Sequence, residues 1–175
     1  MPLVMRCWLL ILLPLLLNQK LSSEIIHVDD DAATGGDGVA WASAYRHLQD
    51  ALKRAKPYDE IWVASGTYKP DTGGDQITGD RSASFQLREQ IQIYGGFLGN
   101  ESTRTERDWK QNITILSGEL SPNSSDWSYH VLKGTDTEWT LDGFLITKGN
   151  ANGTGDNGIG GGLLTKTKGH KYPRI

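Results

Sequence analysis

The chain has 175 residues and a formal net charge of -3, with 21 acidic against 18 basic side chains and a single cysteine. That length is about one domain, the acidic balance argues against nucleic acid or an anionic membrane as main partner, and one cysteine excludes a disulfide framework. Glycine is abundant at 21 residues and proline is not, at 6, which suits tight turns between short strands better than a helical bundle or a disordered chain.

Residues 1–23 read as a secretory signal, with Arg6 as the positive start, an apolar run from Trp8 to Leu17, and Leu21-Ser22-Ser23 as the cleavage region. The run is well short of the roughly 20 residues that span a bilayer, so no transmembrane segment is expected after cleavage. Cys7 leaves with the leader, and loss of the two cations Arg6 and Lys20 takes the net charge from -3 to -5. The mature chain is expected to be secreted or displayed on the cell surface, stabilised by burial and backbone pairing without disulfides.

Ile25-Ile26-His27-Val28 carries the first strand signal and runs into Asp29-Asp30-Asp31 and a glycine-rich loop. Clustered aspartates suit calcium, but their spacing is not that of an EF-hand and acidic turns are common at strand ends; no other cofactor is indicated. From Trp41 the apolar period becomes helical. Trp41, Ala44, Tyr45, Leu48, Leu52 and Ala55 form one stripe, with Arg46, Gln49, Asp50, Lys53 and Arg54 elsewhere, and Pro57 stops the helix. This amphipathic helix is expected to cap a stack of strands.

Glu60 to Tyr68 reads as one apolar strand, followed by an excursion over 69–80. Short strand signals recur at Ser84–Leu87, Ile91–Phe97, Ile113–Gly118, His130–Leu132 and Thr140–Thr147, with Gly or Asn at their ends. Ile93 and Ile115 lie 22 residues apart, a step within the range of solenoid repeats. Recurring glycine-terminated strands without two-residue hairpin turns favour a coil of stacked strands over the alternative, an antiparallel sandwich. In that coil Ile91, Ile93, Ile113, Ile115, Leu141 and Ile146 are expected to line the interior.

The strings DEIWVASGTYKP, Ser82 to Leu87, IQIYGGFLGNE, Arg104 to Asp108, NITILSGEL, YHVL and LDGFLITKGNANG together resemble the start of bacterial right-handed parallel β-helix proteins of pectin-lyase-like fold. The resemblance spans Ile25 to about Gly162. The run Gly160-Gly161-Gly162-Leu163 is similar to the glycine-rich repeats of chlamydial-type polymorphic outer membrane proteins. It implies an all-β fold, a right-handed parallel β-helix (solenoid) with an N-terminal amphipathic capping helix, in which 24–163 form the cap and first coils. Such proteins run on for many more coils, whereas residues 164–175 turn basic and lose the pattern. A truncated or frameshifted N-terminal piece is therefore expected, with an open coil end prone to self-association.

No catalytic constellation assembles from the sequence. His27, His47, His130 and His170 are scattered without metal-ligand spacing, and there is no phosphate loop or nucleophile elbow. A lyase of this fold would be expected to use aspartate-bound calcium and a basic proton acceptor; Asp136, Asp142 and Lys148 are the nearest candidates and match no family motif. Trp109, Trp127, Tyr129 and Trp139 lie in or near loops, where aromatic faces can stack on sugar rings. Asn100, Asn112, Asn123 and Asn152 sit in glycosylation sequons that matter only in a eukaryotic secretory pathway. The expectation is a non-catalytic surface module serving as adhesin, scaffold or glycan contact, with a polysaccharide or cell-surface glycan as partner. The alternative is the N-terminal part of a polysaccharide lyase or hydrolase of pectate-lyase type.

Overall fold

A computed structural model describes residues 22–120, 126–135 and 138–166. Most of the signal sequence, Asn123, Asp136 and His170 lie outside the described residues. The described chain is predominantly β. Its strands are β1 (Ile25–Val28), β2 (Glu60–Ala64), β3 (Gly66–Tyr68), β4 (Phe85–Leu87), β5 (Gln92–Phe97), β6 (Thr114–Ser117), β7 (Leu132–Thr135), β8 (Thr140–Asp142), β9 (Phe144–Thr147) and β10 (Leu163–Lys166), with one α-helix, α1 (Leu48–Arg54). Strand β10 carries regular structure three residues into the stretch that the sequence pattern left irregular.

Three sheets form, ordered β1-β2-β5-β8, β3-β6-β9 and β4-β7-β10. Every ladder between these strands is parallel, which overturns the antiparallel sandwich. From β2 onward the chain visits the three sheets in turn, three times over. Register aligns Ile26, Ile61, Ile93 and Leu141 in one row, Phe85, Leu132 and Leu163 in a second, and Tyr68, Leu116 and Ile146 in a third. These rows build the core, in which Ile26, Ile61, Ile93, Phe85, Leu132 and Leu116 are buried. Each fully buried large apolar side chain contributes about 1.5–3 kcal/mol.

Four expectations change. Glu60 to Tyr68 is two strands in different sheets, broken at Ser65, because Asp30 reaches into the corner. The Asp30 carboxylate accepts the Thr67 N–H at 2.8 Å, and a Cβ on Gly66 would lie 2.3 Å from its Oδ1. Thr140 to Thr147 breaks in the same way at Gly143, whose φ is +83°. In β6 the faces are reversed: Thr114 and Leu116 are buried while Ile113 is exposed and Ile115 half-exposed. Ile146 keeps its row position above Leu116 but is 36 % exposed. The 22-residue step relates no equivalent positions, since Ile61, Ile93 and Leu141 follow one another by 32 and 48 residues.

The helix is also shorter than its apolar stripe. Trp41–Ser43 form a 3-10 turn, and α1 begins only at Leu48. Between them the backbone is extended because Tyr45 pairs with the free edge of β1: its N–H donates to His27 O, and its own carbonyl accepts from Asp29 N–H, both at 2.9 Å. Satisfying an edge strand outweighs the helical period there. Leu48 and Leu52 of α1, and Ala55 just beyond its end, bury as expected, and Ala51, which the stripe did not name, buries with them. Gln49, placed off the apolar face by periodicity, is buried as well, and its amide donates to Pro70 O at 2.6 Å and Ser84 O at 3.3 Å.

Candidate functional site

The corner between the first and second sheets takes one residue at Ser65 and one at Gly143. Between β5 and β6 the same corner carries residues 98–113. This insert is held to the body throughout. Glu101 accepts the N–H groups of Leu98, Gly99 and Asn100 at 2.6–3.0 Å, while its carbonyl accepts from Trp41 Nε1 at 3.0 Å. Thr103 and Glu106 form a reciprocal capping box over the turn Arg104–Glu106. Arg104 pairs with Glu60, and Arg107 donates to Gly95 O at 2.9 Å and pairs with Asp142. Both guanidinium groups lie over Tyr94, at 4.4 and 5.2 Å from the ring centroid. Burial pushes the Tyr94 phenol up, with Arg104 pulling the other way.

Farther along the insert, the Asp108 N–H donates to Gly96 O at 2.9 Å, and the Asp108 carboxylate accepts from Lys110 N–H at 3.0 Å. The backbone is thereby fixed on both sides of Trp109. The indole stays 52 % exposed, with Lys110 Nζ 5.2 Å from its centroid. Trp109, Lys110, Ile113, Asp142, Phe144 and Leu145 line an open groove of about 510 Å³. Ile113 and Leu145 are exposed at 45 % and 53 %, so the groove offers a flat aromatic face, an apolar floor and one charge of each sign at its margins. Arg107 neutralises Asp142, and a fixed, paired carboxylate of this kind suits hydrogen-bond acceptance better than proton abstraction.

The other sequence candidates lie elsewhere. Trp127 is 38 % exposed and its backbone bridges Glu119 in antiparallel fashion; its carbonyl accepts from Arg81 Nε at 2.8 Å. Tyr129 carries Arg81 over its ring at 4.1 Å. Trp139 packs against the core, donates to Thr135 O at 3.2 Å, and joins Tyr58, Gln90 and Glu138 around a smaller hollow of about 190 Å³. Lys148 pairs with Glu119 and does not line the Trp109 groove. Asn100 is exposed, Asn112 is half-buried with its amide directed to Gly96 O at 3.3 Å, and Asn152 accepts from Arg81 at 2.6 Å. Ligand oxygens of Asp29, Asp30 and Asp31 lie within 4.8 Å of one another and could hold a cation. Asp30 is already committed to the Thr67 N–H, and burial raises its pKa.

Sequence reasoning singled out Trp109 and Asp142 but missed Arg104, Arg107, Glu101, Lys110 and Leu145. One local signal was readable: Thr103-x-x-Glu106 is a capping-box pattern that marks an ordered turn in the loop.

The loop clamp carries a pH dependence. Burial alone would raise the Glu101 pKa, but the backbone donors outweigh it and hold the carboxyl below the ordinary glutamate value of 4.5. A depressed folded-state pKa gives stabilisation that is present above the unfolded value and lost as pH falls through the folded one. The amide resonances of Leu98, Gly99 and Asn100 are expected to titrate together with a midpoint below 4.5, and Glu101→Gln should abolish that shared titration.

Comparison of the chain with protein-family models, with curated proteins and with solved structures finds no match in any of the three.

Proposed function

We propose that the chain is the cap and first coils of a secreted or cell-surface right-handed parallel β-helix, and that it contacts a glycan through the Trp109 groove without catalysis. Three parallel sheets visited in a fixed rotation support the coil, and right-handed crossovers between parallel strands are the rule. The export reading rests on residues 1–23. The observation that carries the glycan reading is the exposed Trp109 ring, held on a pinned backbone above the apolar floor of Ile113, Phe144 and Leu145 with Lys110 and Asp142 at its margins. A sugar presents apolar ring faces to such a surface and hydroxyls to its charges. The lyase reading needs gathered, unpaired carboxylates beside a base, whereas Asp142 and Lys148 are each held in separate ion pairs.

The test is retention of the protein on immobilised polysaccharides, with unsaturated product measured in the same samples. Retention without product is expected, and Trp109→Ala should weaken it about tenfold, roughly 1.4 kcal/mol. Trp127→Ala, outside the groove, should leave it unchanged. Unsaturated product would overturn the non-catalytic reading, and equal retention of Trp109→Ala would remove the groove from it.

A further inference from the structure

The two ends of the strand stack are finished differently. At the first end every edge is answered: the free side of β1 pairs with Tyr45, the Thr67 N–H of β3 donates to Asp30, and α1 lies against β4 with Gln49 donating to Ser84 O. Leu48 and Leu52 seal the core there. At the other end β8, β9 and β10 stand last in their sheets, and no ladder among the described residues covers them. Burial falls in all three rows at once: Ile93, Leu116 and Leu132 are at most 1 % exposed, whereas Leu141 and Leu163, next in their rows, are only half-buried and Ile146 is 36 % exposed. Apolar core positions thus face outward together with three strand edges, which is a template for pairing with another chain.

The finished first end decides which chain can pair. Stacking head to tail needs an open edge at both ends and runs on as a filament; among the described residues only one end is open, so a second copy meets this face with the same face. Such a contact is two-fold and closes on itself. A two-fold axis across the coil swaps two of the sheets and turns the third onto its own copy, so one edge strand must pair with itself in antiparallel fashion. Charge selects which one. Strand β8 carries Asp142 and β10 carries Lys166, while β9, Phe144-Leu145-Ile146-Thr147, carries none. Self-pairing of β8 or of β10 sets like charges near each other, whereas β9 against β9 leaves β8 to face β10 of the second copy with opposite signs. We propose that the protein forms a closed tail-to-tail dimer through this face, with β9 pairing antiparallel to its own copy across the two-fold axis. Phe144 and Leu145 of that strand also line the Trp109 groove, so the axis sets two grooves side by side. On the glycan reading above, one polysaccharide chain then engages both, and avidity follows.

The experiment is sedimentation velocity of the full chain recovered after export, between about 1 µM and 1 mM. No glycan is present, so failure of the dimer and failure of the glycan reading are distinguishable. The expected result is an equilibrium of monomer and dimer with no larger species, and hydrogen exchange in β8, β9 and β10 that slows as concentration rises. Ile146→Lys sets two like charges against each other in the middle of the face and should weaken association about a hundredfold. Lys166→Glu, at the exposed end of β10, makes the facing pair like-signed and should weaken it about tenfold. Circular dichroism checks that each variant keeps its strands, and the surface change at Lys166 tests the face even where Ile146→Lys does not fold. A monomer at every concentration, assembly that runs on beyond the dimer, or full association in either folded variant would each overturn the proposal.

Discussion

Gly96→Ala is expected to cost about 2–6 kcal/mol of stability and to move Trp109 out of its groove. Two effects add. Gly96 sits at φ +93°, a conformation that costs a side-chain-bearing residue about 1–3 kcal/mol. A Cβ there would also lie 2.6 Å from Trp109 Cα and 2.8 Å from its N, so the clash is with backbone and cannot be relieved by a rotamer; overpacking of this kind costs about 1–3 kcal/mol. Gly96 is tied on both sides as well, its N–H donating to Thr114 Oγ1 at 2.9 Å and its carbonyl accepting from Asp108. Gly35→Ala supplies the comparison, since Gly35 has φ +87° with nothing within 4 Å of the added carbon. Urea unfolding of the two variants separates strain from clash: Gly35→Ala should show the strain alone. Equal losses would mean that the insert yields freely around Trp109.

Phe85→Ala should be as damaging by a different route. Phe85 is 0 % exposed and stands in the row with Leu132 and Leu163, in the core that also takes in Leu48 and Leu52 of α1. Deleting a buried phenyl ring costs about 3–5 kcal/mol in lost transfer energy and residual cavity. Against a total stability of about 5–15 kcal/mol, that should lower the thermal midpoint by roughly 10–20 °C. Gln86→Ala, on the exposed face of the same strand, should change it by less than about 0.5 kcal/mol. Calorimetry on both variants checks the assignment of faces, and a small effect at Phe85 would put the core elsewhere.

What could be read beforehand follows from how local each cause is. Ile61 and Ile93 bury as the apolar pattern says because the cause is local: Ile61 stands in a run, Ile61-Trp62-Val63-Ala64, that is buried throughout, and Ile91 and Ile93 alternate with the half-buried Gln92. The break at Ser65 was invisible, since Trp62, Val63, Thr67 and Tyr68 all favour strand and the cause, the Asp30 carboxylate, lies 37 residues away from Thr67. The reversed faces of β6 have the same origin: Ile113-Thr114-Ile115-Leu116 offers apolar residues at both parities, and register against Gly66–Tyr68 and Phe144–Thr147 decides which are inside. Tyr45 lost its helix to a neighbouring strand edge for a reason no periodicity carries. At the site, an aromatic in a polar loop singled out Trp109, but Arg107 meets Asp142 across 35 residues, and only the ladder brings Phe144 and Leu145 beneath the indole.

The insert at residues 98–113 occupies a corner that the chain elsewhere turns with Ser65 or Gly143 alone. Lengthening a closed loop costs only about 0.6 kcal/mol per doubling, and this one returns to the ladder that it left. On the reading proposed above, ligand preference and scaffold integrity are separable heritable traits in such a chain: mutation can rewrite the insert and sample new ligands while the rows of Ile61, Ile93, Phe85 and Leu116 stay under their own selection.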